Sequence, residues 1–245
     1  MAIIHINNIR VAGIAAGVPK NIVKTVSTTD KYDDKAYIES VGVKEKRFSN
    51  DFTSSDLCEA AVRKLMQDLS WDGENVDLLI FVSQTPDYIL PATACVLHGK
   101  LGFKKSCLCF DINLGCSGWV YAMSTALALM TCGRIKRAIV LAGDARKQIP
   151  EEHDQLFGYA GTATALEYDE NAKHMIVDLG SDGTGYEAII RPGGGARNPI
   201  TPASLELKDC EDGRRRHACQ TRMKGMDVFA FGITTAPRSI RKVLA

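Results

Sequence analysis

Cys109-Phe110-Asp111-Ile112-Asn113-Leu114-Gly115-Cys116-Ser117-Gly118-Trp119 holds the end of one element, a tight turn and the start of the next. Residues 107–111 read as a buried strand. Residues 116–132 read as a helix that carries Trp119, Val120, Tyr121, Met123, Leu127 and Met130, with no charge on any face until Arg134. A helix of that composition is expected to be buried all round and to lie at the centre of the fold. On either side the pattern repeats. Leu78-Leu79-Ile80-Phe81-Val82, within residues 76–83, is a continuous apolar run of strand length, as in a strand covered on both faces. Residues 92–102 follow as a helix, 107–111 as a second central strand, and 137–142 as the strand after the apolar helix. Repeated strand–helix units predict an α/β protein with a largely parallel sheet.

Further out, residues 3–16 predict one or two entering strands and 33–40 a short helix. Ser54 or Ser55 is the expected cap of a helix over Ala60, Ala61, Leu65 and Leu69, with Gly73 just past its end. Residues 161–168, 175–179 and 188–191 read as further strands forming an antiparallel edge. Residues 193–220, rich in Gly, Pro, Arg and Asp, read as a long connection. From Met226 to Leu244 apolar residues recur at helical spacing, and such a helix needs something to pack against.

The chain has 245 residues, 45% apolar and 24% charged, with a net charge of +1, which excludes a disordered chain and a dedicated nucleic-acid binder. Arg214, Arg215 and Arg216 form a short basic run that reads as a solvated loop. The longest uncharged apolar stretch, residues 119–130, falls short of the roughly 20 residues that cross a bilayer, so no membrane association is expected. The N-terminal residues lack the cationic-then-apolar pattern of a secretory signal, and a cytoplasmic protein is expected. The eight cysteines show no CxxC spacing, which argues against disulfides and metal sites. Cys107 and Cys109 alternate on one strand face, and Cys58, Cys95 and Cys132 stand among helical apolar residues. Packing accounts for all five.

Cys116 differs in position. At a helix start, free backbone N–H groups and the positive end of the helix dipole stabilise a thiolate and activate the sulfur. Gly115 and Gly118 permit a tight turn and close approach of a substrate. A nucleophilic cysteine on such an elbow suits acyl transfer, because a thioester with the enzyme divides one difficult step into two easier ones.

Residues 109–125 resemble the nucleophile region of the ketoacyl-acyl carrier protein (ACP) synthase III group of condensing enzymes, within the thiolase superfamily. Val41-Gly42-Val43-Lys44-Glu45-Lys46-Arg47 resembles that family's Gly-Ile/Val-x-Glu-x-Arg turn, and Leu90-Pro91-Ala92-Thr93-Ala94 its acyl-tunnel and dimer-contact loop. Leu156-Phe157-Gly158-Tyr159-Ala160-Gly161-Thr162-Ala163 resembles its Phe-Gly-Asp-Gly/Ala-Gly-x-Ala motif. Gly225-Met226-Asp227-Val228-Phe229 resembles the opening of its second half. The resemblance runs the length of the chain.

It implies the N-terminal half of a thiolase-like fold, with a mixed five-stranded sheet and helices on both faces, over residues 1–192. Residues 193–245 then form a connection and the first helix of an incomplete C-terminal half. The implied reaction is condensation of an acyl thioester with malonyl-ACP in fatty acid biosynthesis, through an acyl-Cys116 intermediate. Leu90 and Phe157 are the implied substrate-binding residues. No cofactor or metal is implied, since the thioester of ACP or coenzyme A is a substrate. A homodimer is implied, with the strand over 107–111 paired to its twin and Leu90 reaching the partner's acyl tunnel.

Several departures accompany the likeness. The family's His and Asn come from its second half, beyond the matching residues here, and an uncovered side of helix 116–132 is the expected consequence. The alternative reading is a non-catalytic subunit acting in dimerisation or scaffolding. Ala36 and Ser40 stand where the family's coenzyme A site has Trp and Arg, and no Arg lies between Gln148 and Phe157, which points to ACP as the acyl donor. Tyr159 replaces a usual Asp, and Leu90 replaces a bulkier aromatic residue, leaving room in the tunnel.

Overall fold

The computed structural model describes residues 2–27, 33–145, 157–210 and 214–245. The elements run β1 (Ala2–Ile6), β2 (Ile9–Gly17), β3 (Ile22–Lys24), α1 (Asp34–Val41), β4 (Glu45–Arg47), α2 (Ser54–Leu69), β5 (Leu78–Val82) and α3 (Thr93–Leu101). They continue with β6 (Leu108–Ile112), α4 (Gly118–Thr131), β7 (Arg137–Asp144), β8 (Ala160–Tyr168), β9 (Met175–Leu179), β10 (Ile189–Ile190), β11 (Lys208–Asp209), β12 (Arg215–Arg216), β13 (Arg222–Met223) and α5 (Gly225–Leu244). By compactness the chain divides into His5–Met175, and Met1–Ile4 with Ile176–Ala245; the boundary read from composition at residue 193 lies inside the second of these.

In His5–Met175 a five-stranded mixed sheet runs in the order β2-β8-β7-β5-β6. β5 is parallel to β6 and β7, and β8 is antiparallel to β7 and β2. The continuous apolar run of β5 is buried at every position because helices cover both faces. Leu79 and Phe81 point into a core with Cys58, Ala61, Val62 and Leu65 of α2 and Ala94 and Leu97 of α3. The opposite face receives α4 through Ala122, Met123, Ala126, Leu127 and Met130.

Four readings need correcting. Among the described residues the strand over 107–111 is an edge, not central: β6 pairs with β5 alone, and β8, β7 and β5 occupy the interior. The antiparallel strand β8 is interior, and β2 forms the other edge. Thr53, not Ser54 or Ser55, caps α2, because Asp56 three residues on closes a reciprocal capping box with it. Helix α4 is not buried all round: the sheet covers one side, while Val120 remains 39% exposed and Tyr121, Thr125, Ala128 and Leu129 are only half-buried. Absence of charge marked this helix as apolar but carried no record of how many layers flank it.

Close approach of α2 to the sheet requires glycine at Gly17 and Gly161, where a Cβ would lie 2.2 Å from the Leu57 carbonyl oxygen and 2.3 Å from the Cys58 nitrogen.

The second unit carries short antiparallel pairs, β11 with β12 inside the stretch read as a connection and β10 with β13 flanking it on either side. Helix α5 is tied to β9 by the Ser239 hydroxyl donating to Asp178 Oδ2 at 2.8 Å. None of its residues is buried. Among the described residues no helix is long and apolar enough to cross a membrane.

Candidate active site at the carboxyl ends of the parallel strands

Because β5, β6 and β7 are parallel and in register, with Val82 opposite both Ile112 and Ala142, the loops that follow them leave from one end of the sheet. Crevices at the carboxyl ends of parallel strands are where open α/β sheets place ligands. The loop after β5 carries Leu90, the loop after β6 carries Cys116, and Phe157 precedes the start of β8, where Ala160 pairs with Asp144. The topology therefore brings all three expected residues to the same end.

Cys116 is a free, exposed thiol immediately before Ser117, the residue that opens α4. The Ser117 side chain makes no capping hydrogen bond, so the helix start is presented without a side-chain lid. The turn is closed by the Leu114 N–H donating to the Ile112 carbonyl at 3.1 Å and the Gly118 N–H donating to the Gly115 carbonyl at 2.8 Å. Neither flanking glycine has a left-handed backbone. Contact requires glycine at Gly118, where a Cβ would meet Val82 Cγ1 at 2.5 Å, whereas one on Gly115 would meet at 2.7 Å only the end of the exposed Gln84 side chain, which can swing aside. The Trp119 indole N–H donates to Thr164 Oγ1 on β8 at 3.1 Å, fixing the first turn of α4 across the sheet.

A polar network missed in the sequence reading supports this end of the sheet. Asp144 Oδ1 accepts from the Ser83 hydroxyl and the Gln84 N–H at 2.9 Å and from the Thr85 hydroxyl at 3.1 Å. Ser54 Oγ accepts the Ala145 N–H at 2.9 Å and lies 2.6 Å from Thr85 Oγ1. The Ser55 hydroxyl donates to Asp87 Oδ2 at 2.5 Å. Asp111 accepts the Thr93 and Ala94 N–H groups, each at 2.7 Å, and so supplies from β6 the N-terminal cap that Ala92 cannot give α3. The Leu90 loop is thereby anchored at both ends, while Leu90 itself projects at 84% exposure.

Phe157 is 65% exposed. Its neighbours are held against β4, with the Tyr159 N–H donating to the Arg47 carbonyl at 2.8 Å and the Tyr159 ring 4.8 Å from that of Phe48. Gln148, His153 and Leu156 lie outside the described residues. The described histidines are engaged elsewhere: His5 with His174, His98 at the Lys104 carbonyl, and His217 with the Cys219 N–H.

The remaining thiols separate by environment. Burial pushes Cys58 and Cys107 up to about 12, so both stay protonated at neutral pH, as packing residues do. Cys95 and Cys132 are exposed, contrary to the packing expected of them. Cys95 lies on the outer side of α3, and Cys132 falls past the end of α4.

Residues 110–183, which include the β6–α4 elbow, match the family described as 3-oxoacyl-[acyl-carrier-protein (ACP)] synthase III. The solved 3-oxoacyl-(acyl carrier protein) synthase of Burkholderia xenovorans is 32% identical with a TM-score of 0.87, over 99% of this chain and 70% of that one. The chain belongs to the 3-oxoacyl-ACP synthase III family. Beta-ketoacyl-ACP synthase III proteins of this family from Desulfitobacterium hafniense and Clostridium acetobutylicum are each 29% identical over 97% of this chain, covering 71% and 72% of their own lengths. The thiolase-like α/β fold of the synthase III family, with its mixed five-stranded sheet, is the fold found here.

Proposed function

We propose that the chain acts as a condensing enzyme of fatty acid biosynthesis, a 3-oxoacyl-ACP synthase III, with Cys116 as its nucleophile. The observation that carries the reading is the exposed Cys116 thiol at the uncapped start of α4, within a family whose named members are synthases of this kind. Cys116 Sγ attacks the carbonyl carbon of an acyl thioester, the carbon–sulfur bond to the donor breaks, and the donor thiol leaves with a proton. The N–H groups and positive dipole end of α4 stabilise the oxyanion formed in between. Malonyl-ACP then loses carbon dioxide, and its carbanion attacks the acyl-Cys116 carbonyl. A 3-oxoacyl-ACP leaves, and the thiol is restored.

Leu90 and Phe157, at the same end of the sheet, are the proposed contacts for the acyl chain. ACP is the proposed donor as well as acceptor, since Ala36 and Ser40 offer neither the aromatic face nor the guanidinium that coenzyme A recognition would use. The reading calls for no cofactor. A homodimer is supported by the position of β6 at the sheet edge, where its far side has no strand partner among the described residues and a twin strand could pair. The proposed setting is the cytosol.

Intact-mass labelling with a short acyl thioester, and separately with iodoacetamide, followed by peptide mapping, tests the assignment. Cys116 is expected to be modified at least about tenfold faster than any other cysteine. The acyl adduct should be absent from Cys116→Ser. Equal, slow labelling of several cysteines would refute the assignment.

A further inference from the structure

His5 and His174 stand 169 residues apart in the chain, yet His5 Nδ1 and His174 Nε2 are 3.1 Å apart, with ring centroids at 5.1 Å and ring planes inclined by 8°. Both residues are exposed, and both belong to the unit His5–Met175. Backbone contacts hold the segments that carry them. Ile9 pairs with Tyr168, the Asp169 N–H donates to the Asn8 carbonyl at 2.9 Å, and the Ala172 N–H donates to the Asp169 carbonyl at 3.0 Å. The pair lies away from the proposed contact with a second copy. Ile9 opens β2 and Tyr168 closes β8, on the side of the sheet opposite β6 and at the end opposite the loops that carry Leu90 and Cys116.

Without a ligand the two rings share one N–H···N hydrogen bond, in which one ring donates and the other accepts. The same spacing suits two ligands of one metal ion. Imidazole nitrogens bind zinc at about 2.0–2.1 Å, so two of them on one ion lie about 2.9 Å apart at a right angle and about 3.4 Å apart at the tetrahedral angle. The observed 3.1 Å falls between these values. We propose that His5 and His174 form a two-imidazole site for a divalent metal ion that prefers nitrogen ligands, with zinc as the test case, independently of Cys116. On binding, the proton between the facing nitrogens moves to the far nitrogen of its own ring. Each neutral imidazole then gives one lone pair to the metal, and no proton is lost. Exposure leaves both rings free to turn about their Cβ–Cγ bonds and aim those lone pairs at a single ion. Among the described residues no group of three metal-ligating side chains occurs, so water fills the remaining positions and a chelator can withdraw the ion.

The test modifies the full chain with diethyl pyrocarbonate at neutral pH, with and without zinc chloride, and maps the carbethoxylated histidines. A metal-bound ring offers the reagent no free lone pair. Zinc should slow modification of His5 and His174 together by about tenfold, leave His98 and His217 unchanged, and lose its effect when EDTA is added. In His174→Ala zinc should no longer protect His5, and in His5→Ala it should no longer protect His174. Both residues are exposed, so neither substitution should disturb folding, which the urea midpoint without metal checks. Magnesium, which prefers oxygen ligands, should protect neither ring. Protection of one histidine alone, protection that survives in the single variants, equal protection by magnesium, or no protection at about 1 mM zinc would each overturn the proposal.

Discussion

Replacing Gly118 with alanine tests the packing that places Cys116. A Cβ at this position would lie 2.5 Å from Val82 Cγ1 and 3.2 Å from Leu114 Cβ, whereas carbon atoms pack best at about 3.5–4.0 Å. Either Val82 or the start of α4 must give way by about 1 Å. Val82 is β-branched, 3% exposed, and held in β5 between β6 and β7, so the helix start is the part that yields. Overpacking of this size costs about 1–3 kcal/mol, and a displacement of about 1 Å at a reacting atom costs about a hundredfold in rate. Gly118→Ala should therefore lose about 1–3 kcal/mol in urea unfolding and slow acylation of Cys116 by about 10–100-fold. The double variant Val82→Ala/Gly118→Ala separates collision from other effects, because removing Cγ1 clears the space. It should acylate within about threefold of Val82→Ala alone, although Val82→Ala itself loses about 2 kcal/mol of apolar burial. Wild-type acylation by Gly118→Ala, or a double variant no faster than Gly118→Ala, would refute the reasoning.

Three further outcomes are expected. Asp111→Ala removes a charged acceptor from two N–H groups at the start of α3 and should cost about 2–4 kcal/mol in urea unfolding, with Asp111→Asn losing about half as much; a change under about 0.5 kcal/mol would refute the capping role. Gly161→Ala sets a Cβ against backbone atoms of α2, at 2.3 Å from the Cys58 nitrogen and 2.5 Å from the Leu57 carbonyl carbon, and should destabilise by at least about 2 kcal/mol. Burial works to raise the Asp77 carboxyl, but the Lys104 ammonium and the N–H groups of Lys136 and Arg137 outweigh it and hold it below the usual range. Its contribution is present above the unfolded value of about 4 and is lost as pH falls through the lower folded value. The stability gap between wild type and Asp77→Asn should therefore narrow from pH 7 to pH 3, and urea titrations giving an unchanged gap would contradict this.

Residues 78–82 show what a local pattern conveys: five consecutive apolar side chains occur where a strand is covered on both faces, and every one is buried. Strand order is different information. The place of β8 between β2 and β7 depends on pairings such as Ile9 with Tyr168 and Arg137 with Glu167, which no short window of sequence contains. Thr53, Ser54 and Ser55 are three adjacent hydroxyls, and only the spacing to Asp56 distinguishes the cap. The place of Cys116 at a helix start is readable from its flanking glycines and the apolar helix that follows. Gln84, Asp111 and Asp144 are not, since their partners come from distant segments, though a carboxylate ending an apolar run, as in both Asp111 and Asp144, is a signal for a strand-end acceptor. The exposure of Cys95 is not legible, because neighbouring apolar residues do not say which side of a short helix faces out.

The antiparallel seam between β2 and β8 also governs when the sheet can close. Ile9 is made near the beginning of synthesis, and its partner Tyr168 emerges roughly 160 residues later. At about 5–20 residues per second, β2 waits on the order of ten seconds on the ribosome before the strand that pairs with it exists. During that interval Val11 and Ile14 travel on an unpaired strand, so the yield of folded protein should depend more on holding this segment apart from other nascent chains than on the final strength of the core.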